Sequence, residues 1–484
     1  MKISRLFTLQ VFALVAPVIL TGCKVGPDFH PPRANMPPAY VGTVSTGANA
    51  SVTSPETGDL AAWWRTFNDP ALSGLVEQAT IANLDLKIAE ARLRQARSTR
   101  GVVAGGLWPA VSASASYERT RTPASAVAPA QPAHDLFLAG LDAVWELDLF
   151  GGRRRNLESA AANVEAAEEG VHGVLVSLIA ETALDYIQLR GIQQQIVIAQ
   201  ENLKAQQRTA DITRQRFNAG FVSALDVANA DSQVATTQSQ IPVLESSARQ
   251  LIYALSVLVA RAPADLVNEL ADAGAIPISP PEVPAGVPSE LLRRRPDIRQ
   301  AEAQLHAATA QIGVAIADLF PKFSLTGSLT YQNNLLQNWF TDPSHGFAFG
   351  PSVTWPILQG GAIRSNIRVQ KAARDQSYFS YQKTVLTAVQ EVENALVAFG
   401  KEHEHRNALE DAVAANRKAV NLSTQLYSQG ETDFLNVLNA QRSLYTSEDA
   451  LVQSTRSIAT DVAALYKALG GGWQNHDETR TAQR

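Results

Sequence analysis

One pattern is written twice along this 484-residue chain, and no other feature narrows the fold so far. Leu107-Trp108-Pro109 recurs as Leu319-Phe320-Pro321, Gly151-Gly152 as Gly360-Gly361, and Gly191 as Gly400. "NLDLKIAEARL" from Asn83 matches "RPDIRQAEAQL" from Arg295. "FNAGFVSALDVANADS" from Phe217 matches "YSQGETDFLNVLNAQRS" from Tyr427, with one small shift allowed in the middle. Anchors in one order, at offsets of about 210 residues, mark a duplicated unit. The expected division is a signal segment at 1–22, an extended segment at 23–69, a first unit at 70–261, a Pro-rich connector at 262–287, a second unit at 288–469 and a polar tail at 470–484.

Each unit reads as helix, strand, strand, very long helix, turn, helix. Strands are expected at about 110–120, 137–150, 322–332 and 346–357. In "FSLTGSLTYQ", Phe323, Leu325, Leu329 and Tyr331 alternate with Ser324, Thr326, Ser328, Thr330 and Gln332. In "FLAGLDAVWELDLF", Phe137, Leu141, Trp145, Leu147 and Leu149 stand opposite Asp142, Glu146 and Asp148. This is period-2 patterning with one apolar face. A soluble sandwich needs a cover for that face, and the long helices run on without folding back over it. A hydroxyl-rich face opposite an aromatic one suits a water-filled lumen and a lipid exterior. Hydrocarbon tolerates no open sheet edge, and a closed barrel needs about eight strands. Four strands per chain therefore require several copies around one axis. Two chains supply eight strands; three supply twelve. The expected class is an α+β membrane protein with an internal two-fold repeat.

Residues 153–217 and 362–427 hold no proline, and about 65 residues of helix span roughly 100 Å. Turns at 218–224 and 428–433 carry Gly220 and Gly430, suited to left-handed backbone. Second helices return from Leu225 and Leu435. The paired mid-helix glycines, Gly191 and Gly400, are expected where the bundle changes its packing. Arg293–Arg295 read as a solvated helix entry, since no Gly-rich loop accompanies them to hold phosphate.

A net charge of −5 gives no reason to expect nucleic acid. Phosphate-binding loops and nucleophile elbows are absent from the sequence. His403 and His405, two apart on a helix, face different ways and make no metal pair. Neither an enzyme nor a cofactor is expected. Mean hydropathy of −0.08 with 18% charged residues excludes a polytopic helical membrane protein.

Lys2 and Arg5 open a short basic start, and residues 6–20 are mostly apolar, as in a secretory signal. Cys23 is the only cysteine, so it has no partner within the chain. Leu20-Thr21-Gly22-Cys23 resembles the bacterial lipobox, which implies S-diacylglycerol and N-palmitoyl groups on Cys23. Several acyl chains hold firmly, at roughly 0.8 kcal/mol per buried methylene. Lys24 stands where inner-membrane lipoproteins often carry Asp, which favours the outer membrane.

The order of elements resembles the outer-membrane efflux proteins of the TolC superfamily, in particular the NodT-type lipoprotein branch serving RND pumps. The marks are "CKVGPDF", "WWRTFNDPALSGLV", "RRRPDIRQAEAQL", "LFPKFSL" and "YSQGETDFLNVLNAQRSLY". The resemblance implies a homotrimer with a twelve-stranded β-barrel in the outer membrane and a long α-helical barrel in the periplasm. It implies a passive duct for drugs and other small toxic compounds, met by a periplasmic adaptor and an inner-membrane RND-type transporter. In some relatives, acids on the returning helix line the inner constriction. The second unit departs from this with Asn436 and Asn439; the first keeps Asp226, with Asn229 a turn further on. Ser223-x-x-Asp226 also fits a capping box, a role compatible with gating. Tyr427, Asp433 and Phe434 are further gate candidates. The alternatives are a duct for type I protein secretion or metal-ion efflux, and a non-conducting envelope scaffold lipoprotein.

Overall fold

A computed structural model describes residues 23–33, 36–41, 60–121, 123, 132–278, 283 and 286–474. The signal segment 1–22, much of the extended segment and the end of the polar tail lie outside the described residues. The main elements are α1 (Pro70–Ala82), α2 (Leu84–Gly105), β1 (Ala110–Thr120), β2 (His134–Leu147), α3 (Gly152–Asn218), α4 (Ala224–Leu258), α5 (Pro296–Ala317), β3 (Lys322–Asn333), β4 (His345–Thr354), α6 (Ala362–Gln429) and α7 (Phe434–Ala468). The duplication is visible in the lengths. Helices α3 and α6 have 67 and 68 residues, while α4 and α7 have 35 each. Helices α4 and α7 begin 210 residues apart, so the small shift allowed in the sequence match is not needed. Two compact units form, one from residues 1–33, 91–168 and 300–382, the other from 34–90, 169–299 and 383–484.

The first unit holds an antiparallel sheet in the order β1-β2-β3-β4. Its register sorts the side chains without a break. One face carries Tyr117, Phe137, Leu141, Trp145, Leu325, Leu329, Phe347, Phe349 and Val353. The other carries Ser112, Ser114, Ser116, Asp142, Thr326, Ser328, Thr330 and Ser352. Directly opposed residues share a face, so a slip of one position would mix the two sets. The apolar face is uncovered within the chain; Phe349 is 81% exposed. Strands β2 and β4 stop at Leu147 and Thr354, three residues short of the expected ends. At β2 the reason is Asp148, whose carboxylate accepts from the backbone N–H of Arg153 (3.0 Å) and Arg154 (2.9 Å) and so caps α3. At the same level, Trp145 Nε1 donates to the Leu107 carbonyl (2.9 Å) and Trp355 Nε1 to the Leu319 carbonyl (3.0 Å). Each half thus ties the end of its second strand to the turn that leads from the preceding helix into its first strand.

The second unit is a helical bundle around Trp63, Phe67, Leu72, Ile179, Ile187, Leu189, Val462 and Tyr466. Trp63 stacks on Tyr466 at 5.1 Å. One window of α3 is apolar enough to cross a membrane, but most of it is buried within the protein. The mid-helix glycines are not equivalent. A Cβ on Gly191 would lie 2.5 Å from Arg456 Cδ, so the glycine makes room for that side chain, whereas Gly400 meets nothing within 4 Å. Arg295 corrects the expected solvated entry. It is buried, forks onto Asp297 (3.0 and 2.7 Å), and reaches Glu391 (2.7 Å) and the Ala468 carbonyl (2.8 Å). Burial works against its charge, and the two carboxylates outweigh that, holding its pKa above the usual arginine value.

On α3, burial and then the neighbouring Glu181 push the Asp185 carboxyl up to about 6. A folded pKa above the unfolded one means the native state disfavours the ionised form. That cost is absent below pH ~4 and complete above pH ~6, so this site's contribution falls as pH rises through the window. Asp185→Asn should therefore stabilise the protein at pH 8 by about 1 kcal/mol for a half-exposed carboxylate, read as a higher thermal midpoint, and leave the midpoint nearly unchanged at pH 4. Melting curves at the two pH values check this.

Candidate functional site

Two places in the chain carry the residues singled out by sequence: the hairpin ends of the helical unit and the N-terminal segment on the sheet-bearing unit. The hairpins close alike. Gly220 has φ +78° and Gly430 φ +81°. In the first, the N–H of Phe221 donates to the Arg216 carbonyl (2.9 Å); in the second, that of Glu431 donates to the Leu426 carbonyl (2.9 Å). This ending leaves the turn residue left-handed, which glycine adopts without steric cost.

The returning helices start differently. Ser223 and Asp226 form a reciprocal capping box: the Asp226 N–H donates to Ser223 Oγ (3.3 Å), and the Ser223 N–H donates to Asp226 Oδ2 (3.0 Å). The Ser223 hydroxyl donates to the same oxygen (2.8 Å). Asp226 is thereby committed to the helix start. At the equivalent place Asp433 makes no side-chain cap, and Asn436 donates to Thr432 Oγ1 (2.8 Å). Asn229 is half-buried and Asn439 is exposed.

Tyr427 and Phe434 are buried rather than lining an opening. They pack with Ala210, Ala230, Val437 and Leu438, their rings 5.7 Å apart. The Tyr427 hydroxyl donates to Thr213 Oγ1 (3.2 Å). At the hairpins the residue that sequence reading missed is Arg216. Its guanidinium lies 4.8 Å over the Tyr427 ring and donates to the Tyr427 carbonyl and to that of Ser428 (3.3 Å). Its position in the last turn of α3 was the available signal, because a cation there meets unpaired carbonyls. Gln441 to Thr209 (2.9 Å), Arg442 to Gln233 (2.7 Å) and Tyr445 to Gln240 (2.8 Å) continue the ties between the two hairpins. Phe221, Leu225 and Leu435 stand exposed at the ends.

In the other unit Cys23 is exposed, and the residues after it form a strap. The Val25 N–H donates to the Phe150 carbonyl (3.2 Å). Arg155, whose side chain is 0% exposed, binds the strap with most of its donors: Val25 O (2.9 Å), Gly26 O (3.1 Å) and Asp28 Oδ1 (2.8 Å), with Glu158 Oε2 at 3.0 Å. Lys24 also pairs with Glu158. His306 meets Glu158 Oε1 (3.2 Å) and stacks on Phe29 at 4.5 Å. Burial raises the Glu158 pKa, and hydrogen bonds from Lys24, His306 and Arg155 overcome it, so the net shift is downward. Gly26 has φ +92°, and a Cβ there would lie 2.5 Å from Gly313 Cα. No other residue fits this close approach without displacing backbone.

A family model described as "Outer membrane efflux protein" matches the chain twice, over residues 75–261 and 287–471. Nodulation protein T of Rhizobium leguminosarum bv. viciae is 34% identical over 466 residues, covering 96% of this chain and 94% of the relative. The probable efflux pump outer membrane protein TtgC of Pseudomonas putida is 34% identical over 469 residues, covering 95% and 94%. The solved outer-membrane channel OprN superposes with a TM-score of 0.87 at 37% identity, covering 93% of this chain and 100% of that one.

Proposed function

Because the chain belongs to the outer membrane efflux protein family, we propose that it is the outer-membrane exit duct of a tripartite efflux system. It carries small toxic compounds passively from an inner-membrane RND-type transporter, through a periplasmic adaptor, to the outside. The observation that carries this reading is the two-faced sheet. Its uncovered apolar face runs between two groups of rings: Tyr117, Phe137, Tyr331 and Trp339 at one end, and Trp145, Phe323 and Trp355 at the other. Phe137 and Trp145 lie eight residues apart on β2, about 26 Å along a strand. With a strand tilt of ~40° this is about 20 Å of height, close to the ~25 Å apolar band between aromatic girdles of outer-membrane barrels. Strands β1 and β4 end the sheet with unpaired edges in the single chain, which favours closure with further copies; three give the twelve strands typical of a duct. Acylation of Cys23 then adds a lipid anchor to a barrel already in the membrane.

The hairpin ends form the gate in this reading. Arg216 latches the two hairpins of one protomer, and Asp226 holds the start of α4. Losing charge-assisted hydrogen bonds of about 1.5–3 kcal/mol shifts an open–closed equilibrium about tenfold or more. Arg216→Ala should therefore raise the ratio of open to closed time of single channels in planar bilayers at least tenfold over the parent. If neither protein conducts, and deletion of the gene leaves drug susceptibility unchanged, the duct reading fails and the scaffold alternative stands.

A further inference from the structure

The polar face of the sheet holds its charges unevenly. The Glu146 carboxylate is taken by Arg153 (2.6 Å) and Lys322 by Asp318 (2.9 Å). Glu118, near the loop end of β1, accepts from Thr120 Oγ1 (3.0 Å). Asp142 is exposed, and its carboxylate has no hydrogen bond or ion pair among the described residues. Its row across the four strands is Ser112, Asp142, Ser328, Ala348. The row on one side is Ala110, Val144, Thr326, Gly350, and on the other Ser114, Gly140, Thr330, Gly346. None of these neighbours is basic, and all are too small to shield a carboxylate. Asp142 also lies between Phe137 and Trp145, at the level of the aromatic-bounded band.

Resting on the barrel reading above, we infer that Asp142 is a specificity-determining residue of the duct. Cyclic symmetry repeats it at one height, as a ring of carboxylates facing water inside a wall surrounded by hydrocarbon. Low-dielectric walls focus the field of such a ring into the lumen, and rings of acidic side chains favour cations. The cargo class it admits is neutral or cationic; anionic compounds meet a barrier. The effect is strongest at low salt, because a Debye length of about 10 Å at 0.1 M confines the field in a wide lumen.

The test is the reversal potential of Arg216→Ala channels in planar bilayers under a KCl gradient, with and without a second change at Asp142. Cation selectivity is expected with Asp142 present. Asp142→Asn, nearly isosteric, should move the potential markedly toward that of an unselective pore, with Glu118 nearer the loop end left to supply the remainder, and Asp142→Lys should move it further still. The Asn variant alone decides the matter if the Lys variant does not assemble. Conductance with unchanged potentials overturns this inference alone, while a lack of conductance in every variant overturns the duct reading and this inference together.

Discussion

Arg155→Ala should release the N-terminal strap and let trypsin cut after Lys24, a bond that the parent protein keeps closed. The docked strap fixes both residues at that bond: Lys24 is paired with Glu158, and the Val25 N–H donates to the Phe150 carbonyl. A protease needs this segment extended and free. Arg155 supplies most of the strap's polar partners from a fully buried position. Asp28 is itself mostly exposed, so the loss is that of three hydrogen bonds from a buried guanidinium, two of them to backbone carbonyls, together about 3–4 kcal/mol. The undocked population then rises by about two to three orders of magnitude. Arg153→Ala is the control: its pair with Glu146 is half-exposed, worth about 1 kcal/mol or less. Equal resistance in Arg155→Ala and parent would remove the strap from the account. The peptide released by the cut also reports on Cys23, since its mass reveals acyl groups or a bare thiol.

Arg295→Ala should destabilise the helical unit by about 2–4 kcal/mol, through the lost hydrogen bonds of a buried guanidinium whose carboxylate partners are themselves half-exposed. The fork onto Asp297 is local, but the bonds to Glu391 and the Ala468 carbonyl join three distant stretches of chain. Without them a carboxylate and the last turn of α7 lose their donor. Arg293→Ala, at an exposed neighbour in the same arginine run, should stay within about 0.5 kcal/mol. Urea unfolding of the two variants separates these outcomes; equal midpoints would return Arg295 to the role of a solvated helix entry.

Those two arginines show where sequence reading runs out. The duplication, the strand faces and the hairpin glycines were legible because they are periodic or local: alternation requires only neighbours, and the left-handed turn requires only Gly220 or Gly430. Asp226 was legible as a cap for the same reason, with its partner three residues away. Arg155 and Arg295 each end a run of three arginines, and nothing in either run distinguishes the buried member. Their partners lie 130 residues upstream at Val25 and 173 downstream at Ala468, distances at which a pattern in one chain carries no signal. Strand ends were read three residues long because Leu149 and Ile357 continue the apolar alternation, while the Asp148 cap stops β2 earlier. Tyr427 and Phe434 were read as gate side chains from their place in the hairpin. Their burial follows from packing against Ala210 and Ala230 on the first hairpin, which local spacing does not reveal.

The docked strap also sets terms for anyone handling the protein. With Gly26 seated on Gly313 and Arg155 filling the space beside it, a purification handle spliced in just after Cys23 has no slack to occupy and must unseat the clamp. The turn between β3 and β4 is the better address: Leu335, Leu336 and Phe340 stand in the open there, so an epitope inserted among them leaves both the clamp and the hairpins untouched.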